Sequence, residues 1–127
     1  MHLNHVNLPV TNVAAARSFF ERFLGFETVR AGGDALAILD DGYGTTLVLM
    51  NVGRLDAARD GSEPPVYPAG FHVGFIVDSR TEVDGVYARL AAAGHPLDHE
   101  PRRQHGSYGF YVTALDGILF EVATTAP

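Results

Sequence analysis

The 127-residue chain contains no cysteine and no lysine. The first absence removes disulfides, thiolate metal sites and cysteine nucleophiles together, so a bound metal would have to be held by nitrogen and oxygen. The second leaves nine arginines against fifteen acidic residues, a net charge of −6. Apart from Arg102-Arg103 these arginines are scattered, whereas a surface that tracks phosphates needs clustered cations. Nucleic acid is therefore not an expected partner. Arg102-Arg103 itself reads as a solvated loop or, alternatively, as a clamp for an anionic substrate. Also missing are a basic start leading into a signal-peptide apolar run, and any stretch of about 20 apolar residues that could span a bilayer. The expectation is a soluble cytoplasmic protein with no membrane partner. At this length it forms one domain, able to bury roughly two-thirds of its unfolded surface without staples.

What the chain does contain is a repeat at an offset of 67 residues. The run His5-Val6-Asn7-Leu8-Pro9-Val10 maps onto His72-Val73-Gly74-Phe75-Ile76-Val77, so that one histidine falls on the other. The stripe Ala16, Phe19, Phe20, Phe23 and Leu24 lands on Val83, Val86, Tyr87, Leu90 and Ala91, each with the spacing of an amphipathic helix. Ser79-Arg80-Thr81-Glu82 reads as a capping box, with Asn12 or Thr11 as the simpler cap in the first half. Gly25 and Gly94 stop the two helices, Pro96 bars continuation of the second, and the second helix is expected to run about two residues longer. Short strands follow, at 35–39 and 45–51 in the first half and at 107–113 and 118–123 in the second. Weaker ones are expected near 27–31 and 97–100. Each half thus reads βαβββ: module one about 1–52, connector about 53–69, module two about 70–124. The connector is rich in proline and glycine, with a helical turn expected at 55–59.

Strand side chains alternate between faces. With Val6, Leu8 and Val10 turned to the helix, His5 and Asn7 point the other way. His72 and Gly74 lie opposite Val73, Phe75 and Val77, and Glu121 lies opposite Ile118, Phe120 and Val122. Two imidazoles and a carboxylate on the non-helix side form the inventory of a two-His-one-carboxylate metal site, which leaves coordination positions open for substrate or oxygen. His5, His72 and Glu121 are accordingly the candidate metal ligands. Tyr111 and His105, in or beside the segment that would rim this side, are the candidate proton donors or shuttles. His2, His95 and His99 read as surface or loop residues, and Tyr108, on the opposite parity, as packing under a helix. Gly106-Ser107-Tyr108-Gly109 lacks the strand-to-helix turn of a nucleophile elbow. Asp41-Gly42-Tyr43-Gly44 lacks the spacing of a phosphate loop and reads as a turn.

The opening Leu3-Asn4-His5-Val6-Asn7-Leu8-Pro9-Val10, followed by Ser18-Phe19-Phe20-Glu21-Arg22-Phe23-Leu24-Gly25-Phe26, resembles that of the vicinal oxygen chelate proteins, the glyoxalase/bleomycin resistance protein/extradiol dioxygenase superfamily. The closing Thr113-Ala114-Leu115-Asp116-Gly117-Ile118-Leu119-Phe120-Glu121 is similar to the same family's turn and ligand strand, with Leu115 where proline is usual. The resemblance implies an α+β fold of two βαβββ modules forming a cup-shaped mixed sheet around a divalent metal ion such as Fe2+, Mn2+ or Zn2+. It also implies a homodimer, with the metal site formed within one chain or shared between two. Glyoxalases add a fourth ligand from the first module. Aligning Gly44 with Gly117 puts Val48 there, so that pattern is broken. The remaining expectation is a metal-dependent enzyme acting on a small oxygenated substrate, dioxygenase-like as the narrower reading. A metal-free drug- or metabolite-sequestering protein of the bleomycin-resistance type and a fosfomycin-resistance-like thiol transferase are the alternatives.

Overall fold

The stripe of the first module closes one side of α1 (Val13–Leu24), on which Val13, Ala16, Phe19, Phe20 and Phe23 are buried. Asn12 caps the helix by accepting the Ala15 amide at 2.9 Å, and Gly25 ends it in the left-handed region at φ 71°, where a side chain would be strained. The ring of Phe20 is fully buried and meets Phe19 and Phe26 edge to face. Truncating such a core phenylalanine to alanine costs about 3–5 kcal/mol.

The computed structural model describes every residue, Met1–Pro127, and divides into two compact units, Met1–Val66 and Tyr67–Pro127. In the first, β1 (His5–Val10), β2 (Glu27–Gly32), β3 (Leu36–Asp40) and β4 (Thr46–Asn51) form a mixed sheet in the order β1-β4-β3-β2. The first and last strands are the parallel pair, and the other pairings are antiparallel. Helix α1 lies against β3 and β4, over a core that includes Leu8, Val10, Leu39 and Leu49. Helix α2 (Val52–Leu55) follows β4 directly, so the helical turn lies a few residues before the expected 55–59. Asn51 holds this exit together, accepting the Gly53 amide while its own amide donates to the carbonyls of Thr11 and Gly61.

The second unit repeats the plan. Strands β5 (His72–Ile76), β6 (Arg102–Gln104), β7 (Ser107–Ala114) and β8 (Ile118–Thr124) take the order β5-β8-β7-β6, and β5 and β8 are parallel. Helix α3 (Arg80–Ala92) buries Val83, Val86 and Leu90, while Ala91, the last of its predicted stripe, is exposed. It has 13 residues to the 12 of α1. Its capping box is half realised. Ser79 Oγ accepts the Glu82 amide, but the Glu82 carboxylate accepts from the Ser79 hydroxyl rather than from its amide.

The weak strand expected near 97–100 is displaced. Leu97 forms only an isolated bridge to Val112, and the edge strand is Arg102–Gln104. Arg102-Arg103 is therefore strand, not loop. Turn chemistry explains the shift: Gln104 pairs with Ser107 across His105 and Gly106, both with positive φ (49° and 87°), the two-residue hairpin whose twist suits antiparallel strands. No helix is long and apolar enough to cross a membrane.

Candidate functional site

Register fixes what faces what in the second unit. His72 pairs with Leu119, and Glu121 lies between Gly74 on β5 and Tyr111 on β7. His72, Glu121 and Tyr111 thus share the side of the sheet turned away from Phe110, Val112 and Phe120, all fully buried. His72 Nε2 lies 3.7 Å from Glu121 Oε2, with the imidazole side chain 41% exposed and the carboxylate 23%. The imidazole also meets the Tyr111 ring edge to face at 5.7 Å.

The other ring nitrogen fixes the tautomer. His72 Nδ1 is 2.9 Å from the Gly70 carbonyl oxygen, which can only accept, so Nδ1 carries a hydrogen and Nε2 is the ring nitrogen turned to Glu121. A hydrogen-bonded Nδ1 behind a free Nε2 is the usual arrangement of a metal-ligating histidine. His5 has the same arrangement in the first unit: exposed on β1, with Nδ1 3.0 Å from Asn4 Oδ1. Its strand position matches that of His72, since His5 pairs with Thr46 as His72 pairs with Leu119. By the same registers, Val48 opposite Asn7 is the counterpart of Glu121 opposite Gly74.

Within neither unit do three His, Asp or Glu side chains gather as a metal-binding group. The second unit by itself supplies two donors, an imidazole nitrogen and a carboxylate oxygen. This chemistry fits a borderline or hard divalent ion, and the cysteine-free composition offers no thiolate.

Tyr111 is held protonated. Burial raises its hydroxyl pKa first, and the Glu121 carboxylate raises it further through its charge and as an acceptor. His105 stands apart from this group, exposed in the β6–β7 turn with no hydrogen bond from its ring. His99, read from sequence as a loop residue, is the addition. Its ring lies edge-on to Tyr111 at 6.3 Å, and its Nδ1 is 2.8 Å from the Glu100 carbonyl. The strand expected near 97–100 is displaced to Arg102–Gln104, so its parity gave no guide to His99. Tyr108 behaves as expected, donating to Asp84 of α3 at 2.8 Å with the Arg80 guanidinium over its ring.

Comparisons with known proteins agree with this architecture. No curated protein matches the sequence significantly. Among solved structures, a possible glyoxalase from Bacillus cereus is 35% identical, with 97% of this chain and 98% of that one covered at a TM-score of 0.80. A lactoylglutathione lyase from Agrobacterium tumefaciens is 25% identical over 97% and 92% of the two chains, at 0.74. A glyoxalase/bleomycin resistance protein/dioxygenase family enzyme from Burkholderia phytofirmans PsJN shares the fold at 20% identity, 99% and 100% coverage and a TM-score of 0.79. The sequence profile of the Glyoxalase/Bleomycin resistance protein/Dioxygenase superfamily matches residues 2–122, and with its paired βαβββ units the chain belongs to that superfamily.

Proposed function

We propose that the chain is a divalent-metal-dependent enzyme acting on a small oxygenated molecule, with His5, His72 and Glu121 as the metal ligands and dioxygenase-like chemistry as the narrower assignment. One observation carries the reading: with its Nδ1 bonded to the Gly70 carbonyl, His72 turns Nε2 toward the Glu121 carboxylate. His5 supplies the third donor, from the same chain or from a second copy in a homodimer. Fe2+, Mn2+ and Zn2+ all suit two imidazoles and a carboxylate, and the bound ion would act as a Lewis acid on a substrate held through two oxygens.

The chain's own groups do the rest. Tyr111, kept in its phenol form beside Glu121, donates a hydrogen bond or a proton to a substrate oxygen on this face. Of the two proton carriers named from sequence, Tyr111 is favoured over His105, which sits at a turn away from the group. The neighbours described as glyoxalases bring that chemistry to mind, but Val48 occupies the first module's equivalent of Glu121. A four-ligand site therefore lacks its donor. The sequestering alternative draws on a different observation, that neither unit alone gathers three donors.

Metal titration of protein purified without chelators or a nickel column separates the two readings. Losing a hydrogen bond behind a ligand weakens metal binding about 10–100-fold, so losing a ligand in His72→Ala should cost about a hundredfold or more. His95→Ala should bind like wild type. Wild type that takes up no divalent ion, or His72→Ala that binds as well as wild type, overturns the enzyme reading in favour of sequestration.

A further inference from the structure

The register of the second sheet reaches one residue beyond this group. On β6, Arg102 pairs with Gly109 and Arg103 with Tyr108. Directly opposed residues of an antiparallel pair share a face. Tyr108 belongs to the α3 side, where it bonds Asp84, so Arg103 belongs there too. Arg102 stands on the other side, with Gly109, Tyr111 and Glu121. Tyr111 is its diagonal neighbour, at the roughly 7–8 Å across which a long side chain still reaches.

Three features make this position more than a solvated arginine. Arg102 is exposed, and its guanidinium takes part in neither the Arg17–Glu21 nor the His72–Glu121 ion pair. Glu121 and Arg102 carry the only fixed charges among the strand residues of this face, one on each side of Tyr111. Finally, the residue beside Arg102 has no side chain and resists gaining one. A Cβ at Gly109 would run into the Val122 carbonyl oxygen and lie 2.7 Å from the Ala123 Cβ.

We infer that Arg102 is a specificity-determining residue that receives an oxyanion of the substrate, most simply a carboxylate, while the substrate's other oxygens face His72 and Glu121. The planar guanidinium fork matches a carboxylate with two parallel hydrogen bonds, and on a chain of net charge −6 it is the one arginine among the strand residues of this face. The inference rests on the metal reading of the same site for the orientation of the substrate, but its charge preference does not need the ion.

The test uses two probes with the same adjacent hydroxyls, 3,4-dihydroxybenzoate and catechol, of which only the first carries a carboxylate. Dissociation constants are measured by NMR titration on metal-free and on Mn2+-treated protein, for wild type, Arg102→Gln, Arg102→Lys and Arg103→Gln. Wild type should bind the carboxylate at least about tenfold more tightly than catechol, as one charge-assisted interaction allows. Arg102→Gln should abolish the preference, Arg102→Lys should restore part of it, and Arg103→Gln, on the other face, should retain it. A wild type that binds both probes equally or neither, or an Arg102→Gln that keeps the preference, overturns the inference. Failure of the metal reading looks different: Mn2+ would leave the affinity of catechol unchanged while the Arg102-dependent preference persisted.

Discussion

Gly109 and Gly74 flank β8 from its two sides, and adding one methyl group at each should have opposite effects. At Gly109 the new Cβ meets backbone. It overlaps the Val122 carbonyl oxygen and lies 2.7 Å and 2.9 Å from Ala123 Cβ and Cα, none of which is the free end of a side chain. Overpacking by one carbon costs about 1–3 kcal/mol where neighbours can adjust. Here the β7–β8 pairing itself must move, so the upper end, about 3 kcal/mol, applies. The unfolded chain returns some of this, since alanine has less freedom to lose than glycine, about 0.4–1 kcal/mol. The net expectation for Gly109→Ala is a loss of roughly 2–3 kcal/mol. At Gly74 the nearest atom to a Cβ is Glu121 Oε2 at 3.5 Å, an ordinary contact, so only the unfolded-state gain remains and Gly74→Ala should stabilise by about 0.4–1 kcal/mol. The chain has no tryptophan, so urea unfolding is best followed by far-ultraviolet circular dichroism. With a slope of about 1–3 kcal/mol per molar urea, Gly109→Ala should lower the midpoint by about 1–3 M while Gly74→Ala raises it slightly. A Gly109→Ala variant with the wild-type midpoint would refute the argument.

Leu115 adopts φ 53° in the β7–β8 turn, where the proline usual among relatives cannot fit because its ring locks φ near −65°. Leu115→Pro should therefore cost at least about 3 kcal/mol in the same assay, and Leu115→Asn, tolerant of this region, should cost nothing or stabilise. Ser79→Ala removes the hydroxyl that accepts the Glu82 amide and should destabilise by about 1 kcal/mol. Burial, reinforced by the charge of Asp116, pushes Tyr67 up to about 12. Because the folded value lies above the unfolded one of about 10, the stability tied to this phenol is intact below pH 10 and is lost as pH rises towards 12. A spectrophotometric phenolate titration of wild type minus Tyr67→Phe should therefore show a last step near 12, and a step near 10 would contradict it. Val48→Glu places a carboxylate at the counterpart of Glu121 and should tighten metal binding about tenfold in titration; unchanged affinity would remove Val48 from the neighbourhood of the ligands.

The architecture was legible wherever periodicity was strong. The phenylalanine stripe, the alternation in the first and last strands of each half and the 67-residue offset are all long-range regularities, and each corresponds to an element of the structure. Legibility failed where local turn chemistry outweighs pattern. The edge strand of the second sheet is only three residues long and mostly arginine, so nothing apolar announced it, and its place follows from the His105-Gly106 hairpin. That hairpin also holds His105, at φ 49°. Face parity grouped His5, His72 and Glu121, and the register of the second sheet has His72, Glu121 and Tyr111 on one side. It had no purchase on His99, nor on the hydrogen bond from His72 to Gly70, which depends on how the chain enters the strand.

In each unit the parallel partner of the first strand is the last, so the nearest neighbours in space are the most distant in sequence. His72 enters near the start of its unit and Glu121 arrives near its end, with α3 and the β6–β7 hairpin threaded between them. Such a pairing closes the longest loop of the unit and pays its entropy last in folding. The imidazole and carboxylate therefore cannot meet in a partly folded chain. A nascent or fraying module, lacking β8, would present an isolated histidine, and any affinity for a cation would appear only when the final strand is seated.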